Sequence, residues 1–407
     1  MNKELDDLKK NFAIIIPEDG LDEKTKYSIE KRKPLNIKLG FDPTAPELHL
    51  GHAVVLKKLK EFQELGHQLI IIIGDFTALI GDPTGRNKTR PPLTKEEIKI
   101  NAKTYLDQLC KIIDVKKAKV YFNSKWLDSL NLNDLIKLFS HLTLSQIIQR
   151  EDFANRLEKH LPISFHELVY PIIQGYDSYK IDADIEVGGT DQMFNCLVGR
   201  DIQSAYKKEK QVVCCMPILR GTDGVKKMSK SLNNYIALTE NPNDMFGKVM
   251  SIPDNLITEY IDLASSFSLN EKEKIMGDLK NDNVNPMEIK KKLAFNIVEQ
   301  YHSKDEANMA QEFFYKQVQS RNETLIEYQN INFKKINLEF SSLTLIDLCK
   351  AIEVDKSKSQ LRKLIEGGGV KINNEKIIDP LLKISTITND TFKIKIGKRG
   401  FYQIEIN

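Results

Sequence analysis

With 407 residues the chain exceeds one typical domain, and a hydrophobic content of 41% can fill a sizeable core. Five cysteines, odd in number and without a C-x-x-C pair, argue against a disulfide framework or a cysteine zinc site; a charged N-terminus and no apolar run of about 18 residues argue against a signal peptide or membrane span. The expected setting is the reducing cytoplasm, with no membrane partner.

The net charge of +3 is unevenly spread. Residues 341–407 hold 12 Lys and Arg against 8 Asp and Glu, a balance of +4 that leaves −1 for the first 340 residues. A basic tail is a modest signal for a nucleic-acid partner and fits an ordinary solvated face as well.

In chain order, residues 1–34 read as an N-terminal helical segment. Short apolar runs follow at Leu35–Leu39, Leu69–Ile73, Val120–Phe122, Ile185–Val187 and Val212–Leu219, separated by helical stretches such as Ala53–Leu65 and Lys95–Cys110. Apolar runs without polar alternation suit strands covered on both faces. The pattern predicts an α/β fold: a Rossmann-like, doubly wound parallel sheet over 35–235, with a helical insertion at about 93–160. Several runs lead into Gly- and Asp-bearing loops, Gly40-Phe41-Asp42-Pro43-Thr44, Gly74-Asp75 and Gly188-Gly189-Thr190-Asp191-Gln192. Ligands of open α/β sheets bind at the carboxyl ends of strands, so the polar site is expected where these loops gather.

Beyond Asn241 the strand signals stop. Asn285-Pro286-Met287-Glu288 supplies an N-cap, a proline at the first helical position and an acid close behind, which predicts a helix running to Gln300 within a helical domain at 236–335. Ile331–Phe340 reads as a linker. Residues 341–407 read as a small α+β domain, with helical stretches at Leu343–Ile352 and Lys358–Glu366, then Gly367-Gly368-Gly369 and short strands.

Two segments carry candidate chemistry. His49 and His52 flank Gly51 at a predicted helix start. A metal site would need a third ligand, and neither one nor an H-E-x-x-H pattern lies near. Two polar caps are the structural alternative. An anion site is the third reading, since the N–H groups and dipole of a helix N-terminus favour phosphate, and Gly51 lets a flat ring approach the backbone. Far along the chain, Lys226-Lys227-Met228-Ser229-Lys230-Ser231 places lysines on a loop that, taken alone, is as readily solvated as functional.

Together, His49-Leu50-Gly51-His52 and Lys227-Met228-Ser229-Lys230-Ser231 resemble the paired HIGH and KMSKS signatures of class I aminoacyl-tRNA synthetases. Along nearly its whole length the chain resembles the bacterial tyrosyl-tRNA synthetases. Tyr170-Pro171-Ile172-Ile173-Gln174-Gly175-Tyr176-Asp177 matches that family's Y-x-x-x-Q-x-x-D helix, whose spacing sets Tyr170, Gln174 and Asp177 on one face. Gly40-Phe41-Asp42-Pro43-Thr44-Ala45 and Gly81-Asp82-Pro83-Thr84-Gly85 match its two Gly-Asp loops.

The resemblance implies a tyrosine–tRNA ligase that uses ATP, with Mg²⁺, as substrate and carries no protein-bound metal or organic cofactor. It implies His49, His52, Lys227, Lys230 and Ser231 at the phosphates, and Gly40, Asp42, Thr44, Gly51, Asp191 and Lys230 on the ATP side. Asp82, Tyr170, Gln174 and Gln192 would hold the ammonium and carboxylate of tyrosine, and Asp177 would accept from its phenol. Arg86 and Arg90 would close on pyrophosphate. The tail, Ser357 to Asn373, resembles the small RNA-binding fold of the fourth small-subunit ribosomal protein, with Lys358, Arg362 and Lys363 facing tRNA(Tyr) phosphates. A homodimer through the insertion Leu93–His160 is implied as well.

One position departs from the family pattern: Lys38 stands where many tyrosyl enzymes have a second tyrosine that shares the phenol. The expectation is that Lys38 lies beside Asp177 and tunes its charge. Three alternatives stay open: a nucleotidyltransferase without tRNA, a catalytically idle RNA-binding relative, and a tryptophanyl-tRNA synthetase.

Overall fold

The computed structural model describes residues 2–44, 46–82, 94–280, 285–316, 329–332, 343–353, 357–373, 375–384, 391–397 and 400–405. The chain divides into two compact units, Met1–Gln311 and Glu312–Asn407, so the helices that follow the sheet share a unit with it up to residue 311.

The first unit is built on six strands: β1 (Ile14–Ile16), β2 (Asn36–Phe41), β3 (Gln68–Ile73), β4 (Lys119–Phe122), β5 (Ile185–Gly189) and β6 (Val212–Met216). Their order is β1-β6-β5-β2-β3-β4. β1 runs antiparallel to β6, and the other pairings are parallel. The chain moves outward from β2 through β3 to β4, then returns to β5 on the other side of β2, so the winding reverses between β2 and β5. A crevice opens there beyond the strand ends.

Both faces of the sheet are covered, as the unalternating apolar runs require. On one face Ile70 and Ile72 pack with Ile172, Ile173 and Tyr176 of helix Phe165–Lys180 and with Val198 and Ile202 of helix Met193–Ala205. Helix Leu50–Glu64 also packs on the sheet and fully buries Leu56, Leu59 and Phe62.

Three expectations change in detail. β6 ends at Met216 because Pro217 cannot donate to a ladder. The insertion expected at 93–160 is not wholly helical, since the run expected at Val120–Phe122 is realised within it as β4 of the sheet. The N-terminal segment is helical at Asn2–Lys9 and Gly20–Lys31 but carries β1 between them, a strand of three residues too short to show a period.

Past the sheet come helices Pro242–Met250, Ile257–Leu263, Leu269–Lys280, Pro286–Tyr301 and Lys304–Phe314. The Asn285 cap is realised, with its side-chain oxygen accepting from the Met287 N–H at 2.9 Å. Among the described residues no helix is long and apolar enough to cross a membrane.

The second unit is a five-stranded sheet, β7 (Gln329–Asn332), β8 (Val370–Ile372), β9 (Glu375–Ile377), β10 (Thr391–Ile396) and β11 (Gly400–Glu405), in the order β7-β11-β10-β8-β9. Helices Leu345–Ile352 and Lys358–Glu366 close its core, in which Leu348, Leu361 and Ile365 meet Val370, Ile372 and Ile394. Gln329–Asn332, expected to end a helical domain and begin a linker, instead pairs in parallel with the edge of β11. The polar text Gln-Asn-Ile-Asn carries no strand signal, because the partner lies far ahead in sequence.

Candidate active site

The crevice is a cavity of about 470 Å³. Gly40, Asp42, Thr44, His49, Gly51, His52, Asp82, Tyr170, Gln174, Asp177, Asp191, Gln192, Lys227, Lys230 and Ser231, scattered along the chain, all line it. Arg86 and Arg90 lie outside the described residues.

His49 is the N-cap of helix Leu50–Glu64, and its backbone N–H donates to His52 Nδ1 at 3.2 Å. That acceptor role puts the proton of neutral His52 on Nε2. Burial first, then the charges of Lys230 and Lys227, holds the His52 imidazole down at about 4; burial, His52 and the same lysines hold His49 well below its ordinary value. At neutral pH both rings are uncharged hydrogen-bonding groups. His49 Nδ1 is buried without a hydrogen-bond partner among the described residues. A side chain on Gly51 would meet the His49 ring at 3.1 Å, so the flat ring that glycine admits here is the protein's own imidazole.

The lysine loop is secured from behind. Asn234, buried, accepts from the Ser229 N–H at 2.8 Å and donates to the Lys227 carbonyl at 3.1 Å and to Asp223 at 2.9 Å. Just beyond it, Leu50 N–H donates to Ile236 O at 3.0 Å and Leu238 N–H to Leu48 O at 2.9 Å. The chain leaving the lysine loop is thus paired with the chain entering the histidine helix. Lys227 pairs with Asp191 at 3.1 Å and Lys230 with Glu47 at 3.5 Å.

The carboxylates of the cavity are mutually linked. Asp42, at the end of β2, accepts from Thr77 Oγ1 at 2.6 Å and from the Tyr170 hydroxyl at 2.8 Å. A Cβ on Gly74 would fall 2.1 Å from Asp42 Oδ1 and 2.2 Å from Thr77 Oγ1, so this crossing needs glycine. Asp82 accepts from Gln192 at 2.7 Å and from Arg150 at 3.2 Å. Asp177 accepts from Trp126 Nε1 at 2.8 Å and Asn123 Nδ2 at 3.2 Å, and burial pushes its carboxyl up to about 6 against the pull of Lys38.

Lys38 revises the expectation in part, for its charge still pulls the Asp177 carboxyl down. Its ion-pair partner is Glu186, at 2.8 Å, rather than Asp177. The reason is register: Lys38 of β2 and Glu186 of β5 are paired positions in adjacent parallel strands.

Sequence reasoning missed Glu186, Arg150, Glu47, Thr77 and Asn234. Glu186 and Lys38 did leave a trace, each being a charge that interrupts an apolar run of a central strand. In the second unit, Lys358, Arg362 and Lys363 are exposed on one helix, and Lys358 bridges to Asp347 at 2.8 Å.

Comparison with known proteins agrees with this geometry. Residues 30–319 match the family described as tRNA synthetases class I (W and Y), and residues 344–384 match the S4 domain. The chain is 48% identical over 404 residues to tyrosine–tRNA ligase 2 of Photorhabdus laumondii, covering 99% of this chain and 100% of that one. It is 46% identical over 397 residues to the tyrosine–tRNA ligase of Aquifex aeolicus, covering 98% and 97%. In fold it is similar to the tyrosyl-tRNA synthetase of Archaeoglobus fulgidus complexed with L-tyrosine, with a TM-score of 0.62 and 21% identity over 76% of this chain and 99% of that one. A cavity shared by both signature segments and a Tyr-Gln-Asp helix face, in a chain so closely related over its full length, means that the protein belongs to the tyrosine–tRNA ligases of the class I tRNA synthetases.

Proposed function

We propose that the chain activates L-tyrosine with Mg²⁺-ATP to tyrosyl-adenylate and pyrophosphate, then transfers the tyrosyl group to the 3′ end of tRNA(Tyr). The observation that carries this reading is one cavity lined by both signature segments and by the Tyr170, Gln174 and Asp177 face. Mg²⁺ enters with ATP as part of the substrate.

The tyrosine carboxylate attacks the α-phosphate in line, and negative charge builds on the departing pyrophosphate. Catalysis is then a matter of placed donors. Lys227, Lys230 and Ser231 meet the pyrophosphate, the lysines exchanging Asp191 and Glu47 for phosphate oxygens. His49 and His52 serve the phosphates as neutral donors, and Asp191, once released by Lys227, is free for the ribose. Gly40, Asp42, Thr44 and Gly51 border the nucleotide. Asp82, Tyr170, Gln174 and Gln192 hold the amino acid's charged end, and Asp177 accepts from its phenol. Arg86 and Arg90 are assigned to the pyrophosphate by resemblance.

Selection of tyrosine over phenylalanine follows from Asp177. An acceptor buried without its donor is costly, and the discrimination of about 10⁵ that the general rule quotes was measured in this enzyme family. Lys358, Arg362 and Lys363 contribute to tRNA affinity through phosphates. Exposed Leu132, Ile136 and Leu144 support a homodimer through the insertion, and the protein works in the cytoplasm. The test is amino-acid-dependent ATP–pyrophosphate exchange with tyrosine, tryptophan and phenylalanine offered in parallel. Exchange with tyrosine alone is expected; exchange with tryptophan, or none with any of the three, would refute the reading.

A further inference from the structure

Lys38 and Glu186 are both fully buried, on adjacent strands beneath the amino-acid end of the cavity. All three hydrogens of the Lys38 ammonium have an acceptor: Glu186 Oε1 at 2.8 Å, Ser178 Oγ at 2.6 Å and the Gln174 carbonyl at 3.0 Å. Glu186 in turn accepts from the Gln174 side-chain amide at 3.3 Å, from Ser178 Oγ at 3.1 Å and from Gln211 Nε2. Gln174 is therefore gripped twice, by its backbone through Lys38 and by its amide through Glu186. Ser178, the residue after Asp177, is gripped by both charges.

A buried ion pair is a weak source of stability, since an apolar replacement of similar volume is often neutral or stabilising. Its cost in desolvation points to a role in the site. With its donors used up, Lys38 has none to offer a substrate phenol, so its action on tyrosine must pass through its neighbours.

We propose that Lys38 and Glu186 are a positioning pair for tyrosine: they lock Gln174 and the backbone around Asp177 into one arrangement and set the local charge that keeps Asp177 an acceptor for the phenol. The inference rests on the tyrosine reading of the site. In this arrangement the pair replaces a second phenol ligand by fixing the first. The titratable groups around Asp177 are Lys38 on β2, Glu186 on β5 and Asp42 at the β2 end, while Asn123 and Trp126 donate to it as neutral groups.

The test uses full-length protein and tyrosine-dependent ATP–pyrophosphate exchange against pH, with thermal unfolding as the check on folding. Lys38→Met removes the charge that favours ionised Asp177, so the acidic limb of kcat/KM for tyrosine moves to higher pH and KM for tyrosine rises by about tenfold, with KM for ATP unchanged. Glu186→Gln moves the same limb to lower pH. Lys38→Arg keeps the charge but not the three-point grip, so KM for tyrosine rises while the limb stays in place. The double variant Lys38→Met with Glu186→Gln leaves no lone buried charge and recovers stability, yet keeps the raised tyrosine KM. Folded single variants with the limb unmoved and tyrosine KM unchanged would overturn the proposal, as would a double variant that recovers both stability and tyrosine KM. Failure of the tyrosine reading looks different: wild-type protein would then show no tyrosine-dependent exchange at all.

Discussion

The Tyr170 hydroxyl and the Asp42 carboxylate, 128 residues apart in the chain, meet at 2.8 Å, tying helix Phe165–Lys180 to the end of β2. Burial pushes the Asp42 carboxyl up to about 7, aided by Asp82 and opposed by the bonds from Thr77 and Tyr170. The folded protein keeps this proton where the unfolded chain has lost it, so the contribution of Asp42 to stability declines from about pH 4 to about pH 7 and then levels. An arriving ammonium favours the ionised carboxylate, so tyrosine binding at about pH 6.5 should expel protons. Calorimetry in buffers of different ionisation enthalpy should show that release. Asp42→Asn should cut it, leaving the part due to Asp177.

His52 has two separable jobs. Its Nδ1 accepts from the helix N-cap, and its Nε2–H is the donor proposed for the phosphates. His52→Asn can keep the acceptor and lose the donor, so unfolding free energy should hold while exchange activity falls by about 100-fold. His52→Ala loses both and should in addition cost about 1 kcal/mol in denaturant unfolding. Because both imidazoles are neutral near pH 7, neither variant should shift the pH limb between about 6 and 8. A shift would mean that an imidazolium takes part.

Lys230 and Glu47 form a half-exposed pair, whose contribution to stability is at most about 1 kcal/mol. Lys230→Ala should therefore fold normally, bind tyrosine with unchanged affinity, and slow adenylate formation by about 100-fold in single-turnover kinetics. Glu47→Gln should leave the melting curve in place and lower KM for ATP, since the lysine no longer has to leave a carboxylate.

On the second unit, Arg362 and Lys363 are exposed, whereas Lys358 is bridged to Asp347. Replacing Arg362 and Lys363 together with alanine should weaken tRNA binding and flatten its dependence on log salt by about two phosphate contacts. Lys358→Ala should do less. Tyrosine-dependent exchange should be unchanged in all of them, because every residue lining the proposed adenylate site belongs to the first unit.

The parts of this protein legible in its sequence are those written locally. Strand β3 shows itself as a run of isoleucines, the Asn285 cap as a side chain next to its proline, and His49 with His52 as neighbours on one turn. Residues joined by the return of the chain were not legible. Arg150 reaches Asp82 across an intervening domain's worth of sequence, and Glu47 meets Lys230 only once the lysine loop has come back over the histidine helix. Lys38 lies between these cases. Its charge in an apolar run announced something unusual, but its partner depended on β5 lying beside β2 with Glu186 in step.

The backbone pairing of Leu48–Leu50 with Ile236–Leu238 fixes a pivot for the lysine loop. Lys227 and Lys230 ride on a short arm whose inner end is fastened to the segment that carries His49. On its other side the loop is held by Met228 N–H donating to Leu219 O at 2.9 Å, so both lysines stay close enough to His49 and His52 to lower their basicity. A residue inserted between Leu232 and Ile236 would lengthen the link between that fastening and the two ammonium groups and so change their distance from His49 and His52.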